Sequence, residues 1–199
     1  RKAPLSLDYR ASDLGPGRCL GINEAGHVVG LDNDRTFVVA NGTRTMVPDH
    51  GGEAPVGLAI AKDGSVVGYV HDKDHGQVAA VLRDGAWKLL GEGWGNALAH
   101  GPDGEIVGVS SSPTGPVAFA IVNDKAATLA LPPGPSAGYL IGHGRVTGIY
   151  ETENEETHAF FATLDGAFTG LGTLGGDASA PLGMNRAGII VGVSETADG

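Results

Sequence analysis

The chain has 199 residues, a formal net charge of −10 and a pI near 5.0, which argues against nucleic acid or an anionic membrane surface as its main partner, since both would repel it. Its 34 glycines sit among plentiful valine, leucine, isoleucine and alanine, a composition of a turn-rich folded domain rather than of disorder or collagen. The single cysteine, Cys19, excludes an internal disulfide and a CxxC zinc site, and no run approaches the roughly 20 apolar residues of a membrane span.

In chain order, residues 5–14 alternate apolar and polar side chains and predict an opening strand, stopped by Gly15-Pro16-Gly17. The stretch Gly26-His27-Val28-Val29-Gly30 follows, a glycine pair enclosing β-branched residues, and it recurs at Gly64–Gly68, Gly104–Gly108, Gly144–Gly148 and Gly188–Gly192. The second glycines, at positions 30, 68, 108, 148 and 192, are spaced by 38, 40, 40 and 44 residues, a period that belongs to solenoids, propellers and arrays. Around each pair the pattern predicts a four-stranded unit. The first takes 20–23, 27–30, 36–40 and 43–47. The second takes 56–61, 65–69, 78–82 and 87–90, and the third 97–100, 105–109, 117–122 and 127–131. The fourth opens with an abbreviated strand, 139–142, followed by 145–150, 158–163 and 167–171. A fifth begins at Leu182, repeats the glycine pair and ends at Gly199 before its outer strands. Asn41-Gly42, Asp84-Gly85 and Asp165-Gly166 suit tight hairpin turns, because these residues tolerate positive φ. The first glycine of each pair is expected to close a turn, and the second to mark a bulge or a close backbone approach.

Four-stranded antiparallel units at this period predict an all-β fold, a β-propeller of five blades in a single domain. The units run over about 18–50, 51–90, 91–138 and 139–176, and 177–199 closes with 1–17, so that the N- and C-termini share one blade. The alternatives are an open stack and a piece of a larger propeller.

The segments Thr157-His158-Ala159-Phe160, Leu171-Gly172-Thr173-Leu174-Gly175-Gly176 and Met184-Asn185-Arg186-Ala187-Gly188-Ile189-Ile190-Val191-Gly192 resemble the HAF-repeat family of bacterial extracellular proteins. Ile22-Asn23-Glu24-Ala25-Gly26-His27-Val28-Val29-Gly30 fits the same pattern, while Ala61 and Gly101 stand where it has asparagine. The resemblance spans nearly the whole chain. It implies a secreted or surface β-repeat protein whose leader is absent from this sequence, and it brings no catalytic residues.

Two motifs match chemistry only in letters. Gly170-Leu171-Gly172-Thr173-Leu174-Gly175 spells a dinucleotide fingerprint but leads into another β unit rather than a helix. Gly134-Pro135-Ser136-Ala137-Gly138 spells a nucleophile elbow inside a proline-rich loop. His158 is expected to serve packing and a backbone hydrogen bond, Trp87 packing, and Cys19 a small buried apolar position.

In a propeller, the loops joining strands two and three emerge on the same face as the links between blades, and here they carry essentially all of the net negative charge. That face is the expected binding surface, for a peptide, protein or glycan, with Trp94, Tyr139, His50 and His75 as ligand contacts; an exposed ring stacks on a sugar or grips a peptide. Asp32, Asp34, Asp72, Asp74, Glu151 and Glu153 are closely spaced oxygens of the kind that hold calcium, the one cofactor the sequence suggests. Two rival functions stand beside binding. One is a hydrolase or lyase with His50, His75 or His100 and nearby carboxylates at the channel mouth; the other is a purely structural surface repeat.

Overall fold

A computed structural model describes residues 11–198, and over that range the chain forms eighteen β-strands and no helix. Four successive stretches each make an antiparallel four-stranded sheet with its strands side by side in chain order. The first holds β1 (Arg18–Ile22), β2 (Val28–Asp32), β3 (Arg35–Ala40) and β4 (Thr43–Met46). The second holds β5 (Val56–Ile60), β6 (Val66–Asp72), β7 (Gly76–Arg83) and β8 (Ala86–Leu89). The third holds β9 (Gly95–His100), β10 (Ile106–Ser112), β11 (Gly115–Val122) and β12 (Lys125–Ala127). The fourth holds β13 (Ser136–Gly142), β14 (Arg145–Glu151), β15 (Thr157–Thr163) and β16 (Phe168–Gly172). A hairpin of β17 (Gly175–Met184) and β18 (Ile190–Thr196) follows, joined to the fourth sheet by one parallel bridge between Thr157 and Ala178.

The strand expected over 5–14 lies mostly outside the described residues, and its described part, 11–14, is irregular. Two other expectations need correction. The last strand of the third unit is Lys125–Ala127, not 127–131; Leu129 and Leu131 pack on the core without pairing. The fourth unit is not abbreviated in its opening strand, which runs seven residues. Its shortening falls in the next turn, where His143 and Gly144 make a two-residue hairpin with φ of 52° and 73°. Asn41-Gly42 and Asp84-Gly85 both have positive φ as expected, whereas at Asp165-Gly166 the only positive φ is that of Gly166, within a wider turn.

The glycine pairs act as expected from the sequence. The first members, Gly26, Gly64, Gly104, Gly144 and Gly188, all lie at φ between 73° and 89°, the left-handed region that glycine enters without a Cβ clash. At the second members a Cβ would lie 1.8–2.4 Å from a first-strand carbonyl oxygen, that of Arg18, Val56, Asn96, Ala137 or Ala180. The carbonyl comes so close because every first strand carries one residue too many for its partner. Leu20, Leu58, Leu98, Tyr139 and Leu182 are these bulged residues. On the other side of the same glycines sits the third strand, with Phe37, Phe119 and Phe160 directly opposite Gly30, Gly108 and Gly148.

Successive sheets pack face to face. The first strand of each unit lies against strands two and three of the preceding one, β5 on β2 and β3, β9 on β6 and β7, β13 on β10 and β11, β17 on β14 and β15. Val67, Ala79 and Val81 thereby meet Ala97, Ile106 and Ile121, and Val107 and Ala120 meet Ile141, Val146 and Phe160. A polar clasp secures each interface where the third strand begins. Thr36 Oγ1 donates to Pro55 O and accepts from Gly57 N, Gln77 Nε2 donates to Asn96 Oδ1, Ala118 N donates to Ser136 Oγ, and Ala159 N donates to Ser179 Oγ. These bonds satisfy groups that stacking would otherwise bury unpaired.

The two glycine roles separate experimentally. Gly68→Ala drives a Cβ to 1.8 Å from Val56 O, a backbone atom, and is expected to destabilise by about 2–3 kcal/mol in equilibrium urea denaturation, as overpacked cores do. Gly64→Ala meets no atom within 4 Å, so its loss is the left-handed penalty of about 1 kcal/mol.

Candidate functional site

The turns between first and second strands gather at one end of the stacked units. Asn23 Oδ1 accepts from Ala25 N and His27 N, and Asn185 Oδ1 accepts from Ala187 N and Ile189 N, so each asparagine side chain replaces a backbone partner within its turn. Where the repeat lacks asparagine, carboxylates take over: Asp63 Oδ1 accepts from Ser65 N, and Glu105 Oε2 from Asp103 N.

Each turn is also fastened to the next. Asn23 Nδ2 donates to Ala61 O at 2.7 Å, Ser65 Oγ lies 3.2 Å from His100 Nε2, Gly144 N donates to Glu105 Oε1 at 3.4 Å, and Arg145 Nη1 donates to Arg186 O at 2.9 Å. Arg186 then pairs with Glu24, joining the fifth unit to the first. This belt encloses a cavity of about 310 Å³ lined by all five first strands, with Ile22, Ile60, His100, Ile141 and Met184 among its walls. Lys62, His143, Arg186 and Glu24 stand at its rim. A concave site with an apolar floor and a few polar groups is the usual form of a ligand pocket.

His100 is its most constrained polar group. Nδ1 lies 3.0 Å from Gly101 O; a carbonyl only accepts, which assigns the proton of the neutral ring to Nδ1, so the contact of Nε2 with Ser65 Oγ, whose own proton goes to Asp63, becomes a hydrogen bond only when the ring is protonated. Burial pushes the imidazole below its ordinary value, outweighing the Gly101 carbonyl and Asp63. Behind it, Ser65 Oγ donates to Asp63 Oδ1 at 2.6 Å. Burial of Asp63 opposes its ionisation, but the hydrogen bonds from Ser65 prevail and hold its carboxyl below the usual range. The order of Asp63, Ser65 and His100 is not that of a nucleophile triad: the serine is buried and commits its proton to the carboxylate, not to the imidazole.

The residues expected on the acidic face divide. The antiparallel course of the units puts that face at the end opposite the cavity. There Asp72 gathers two of them, with His75 Nδ1 2.8 Å from its Oδ1 and His50 Nε2 3.7 Å from its Oδ2. The hydrogen bond to Asp72 raises the His75 pKa, and the same bond lowers that of Asp72. Trp94 stands in the link before β9 with 43% of its surface exposed. Tyr139 is not on this face but is the bulged residue of β13, where burial raises its phenol. His50 and His75 thus lie far from the end that holds His100, so the histidines of the enzyme reading form no single site.

The carboxylates expected to hold calcium do not converge. Asp32 pairs with Arg44 at 2.8 Å, Asp72 is taken by the histidines, and Asp34, Asp74, Glu151 and Glu153 occupy three separate loops with them. Among the described residues no group of three or more His, Cys, Asp or Glu side chains is placed to hold a metal ion.

Three smaller expectations resolve here. Trp87 packs as expected, with Val29, Ile60 and Val66, and donates Nε1 to Pro48 O. His158 packs edge-on to Tyr150 but faces Glu156 Oε2 at 3.2 Å in place of a backbone partner. Cys19 is exposed, not buried, because among the described residues no preceding sheet covers β1.

Sequence reasoning missed Asn23, Glu24, Lys62, Arg145 and Arg186. All five lie in or directly beside the repeated first-to-second-strand turns, and equivalent positions at a fixed period were the signal that could have found them. Compared with known protein families and curated proteins, the chain matches no family model and no curated sequence.

Two measurements follow from this geometry. In an NMR titration, His75 is expected to titrate above the ordinary imidazole value of about 6.5, and Asp72→Asn is expected to return it toward that value. A raised histidine contributes fully below its unfolded pKa and is lost as pH rises through the folded one. A lowered aspartate contributes above its unfolded pKa and is lost as pH falls through the folded one, so the pair acts in the window between. Added calcium is expected to leave the melting temperature unchanged, since Asp32 and Asp72 are already engaged; an upward shift that EDTA reverses would restore a calcium site.

Proposed function

We propose that this chain is a ligand-binding module built as a five-bladed β-propeller, whose fifth blade is shared with the N-terminal segment. Its ligand enters the central cavity from the end that carries the first-to-second-strand turns. The observation that carries the reading is the convergence of all five first strands on one cavity, with the belt of polar links between their turns. The Glu24 and Arg186 pair supports closure of the ring, because it spans the chain's two ends. Lys62 stands at the rim outside any ion pair among the described residues, Arg186 being taken up by Glu24, and that one cation favours a ligand with a carboxylate or several hydroxyls. A carboxylate-bearing peptide or an acidic glycan has that chemistry. The resemblance to HAF-repeat proteins supports a secreted or surface setting in bacteria.

A second surface is favoured by one observation, the assembly of His50, Asp72 and His75 on the face whose links also expose Trp94. On that reading a peptide or glycan stacks on Trp94 at the acidic face.

Screening on peptide and glycan arrays, followed by titration of a retained compound, separates the two surfaces. With the cavity as the site, Lys62→Ala and His100→Ala weaken binding about tenfold or more, the loss of a hydrogen bond to a charged group, while Trp94→Ala leaves it unchanged. The reverse pattern would move the site to the acidic face.

A further inference from the structure

One position on the outer strands breaks the repeat. Two residues past the one opposite the second glycine, the third strands carry Val39, Leu82, Ile121 and Ala162, and the fourth strands set Arg44, Trp87, Ala126 and Phe168 against them. Arg44, Trp87 and Phe168 are large and half-buried. Arg44 lies 3.9 Å over the Phe37 ring and donates to Leu14 O, Trp87 packs on Val29, Ile60 and Val66, and Phe168 packs on Val107 and Phe160. Ala126 is exposed and covers nothing comparable. The consequence is a slot of about 260 Å³ between the second and third sheets, with Ala126, Phe119, Ala79, Ile121 and Leu90 among its walls. Phe119 is left partly exposed in it, while Phe37 and Phe160, at the same position in the first and fourth units, are 1% and 0% exposed beside Arg44 and Phe168.

We propose that this slot binds a small, uncharged, flat aromatic molecule of the indole class, whose ring takes the place that Trp87 and Phe168 fill in their own units. Charge is confined to the mouth: Lys88, Glu92 and Asp124 are exposed, and Asp124 is paired with Arg83. The buried walls, Val78, Ala79, Ala120 and Ile121, are apolar, so an ionised ligand would lose its hydration there without a partner. An apolar cavity of about 150 Å³ admits benzene, and the larger slot suits a two-ring system. The repeat also specifies one polar contact. Trp87 donates Nε1 to Pro48 O, and Gly91 stands where Pro48 does, because the residues before them bond to the third strand in the same way, Val47 N to Thr36 O and Leu90 N to Ala79 O. The Gly91 carbonyl is thus the acceptor for a ring N–H. The lining comes from a single interface between two units, the extent of one ring system rather than of an extended peptide. It shares no residue with the central cavity, so failure of one site leaves the other standing.

The probe is indole, titrated into the whole protein and followed by NMR and by thermal melting. Saturable binding is expected, with nuclear Overhauser contacts from the indole ring to the Ala126 methyl and the Phe119 ring, and with an upward shift of the melting temperature. Ala126→Trp is expected to raise the melting temperature of the free protein and to abolish indole binding; the Overhauser contacts in the native protein carry the test if that variant misfolds. N-methylindole, which lacks the N–H, should bind about fivefold more weakly, and N-acetyltryptophanamide, which carries the ring on a peptide unit, more weakly than indole. The proposal is overturned by an absence of saturable binding at about 1 mM indole, the weak end of specific recognition, by contacts that map away from Ala126 and Phe119, or by unchanged binding to Ala126→Trp. Tighter binding of N-acetyltryptophanamide than of indole also overturns it, since the slot would then take a side chain of a partner peptide.

Discussion

The architecture depends on one contact, that between a bulged first strand and the glycine opposite it. A strand with an extra residue pushes a carbonyl oxygen toward its neighbour, and the neighbour tolerates it only where no Cβ stands in the way. The contact recurs at Gly30, Gly68, Gly108, Gly148 and Gly192, and three consequences follow from it. It fixes the register of the first two strands. It opens the far side of the glycine to a phenylalanine from the third strand, as Phe37 and Phe119 show by lying within 3 Å of where a Cβ would be. It also turns Leu20, Leu58, Leu98, Tyr139 and Leu182 out of the normal alternation. Each unit is thus assembled around an absent side chain, and the stacking of one unit on the next repeats the arrangement.

The first-to-second-strand turns then acquire a function that no single unit possesses. In isolation, Asn23, Asp63, Glu105 and Asn185 serve their own turns. Stacked at a constant offset, the same turns come within hydrogen-bonding reach of their neighbours, and local bonds are extended into a belt around the cavity. The link differs chemically at each step, an amide to a carbonyl, a hydroxyl beside an imidazole, a carboxylate taking a backbone amide, a guanidinium on a carbonyl and an ion pair. The position is therefore under geometric constraint, while the residue type that makes the link differs from one step to the next.

Much of this was legible because the signals were local and repeated. Positive φ at Asn41, Gly42 and Gly64 follows from residue type alone, and the alternation around each glycine pair located nearly every strand to within a few residues. Errors arose where a neighbour decided. The opening strand of the fourth unit looked short because its turn had lost one residue, and a two-residue hairpin at His143-Gly144 let the pairing extend instead. Cys19 looked buried because small apolar residues usually are, yet burial of a first strand comes from the preceding sheet, and among the described residues β1 has none packed on it. The acidic face was read from charge summed over loops, a property that sequence preserves. That Asp72 would gather His50 and His75 while Tyr139 would point away from that face needed coordinates.

From the sequence itself come the period, the strand content, the turns and the places where only glycine fits, because each of these is set by residues a few positions apart. Tertiary structure decided which end carries the cavity wall, which histidines meet, and that Arg186 reaches Glu24 across 162 intervening steps of chain. Those outcomes depend on the angle and offset at which one sheet lies on the next. That geometry is the sum of many packing contacts such as Val67 on Ile106, and no short stretch of residues encodes it.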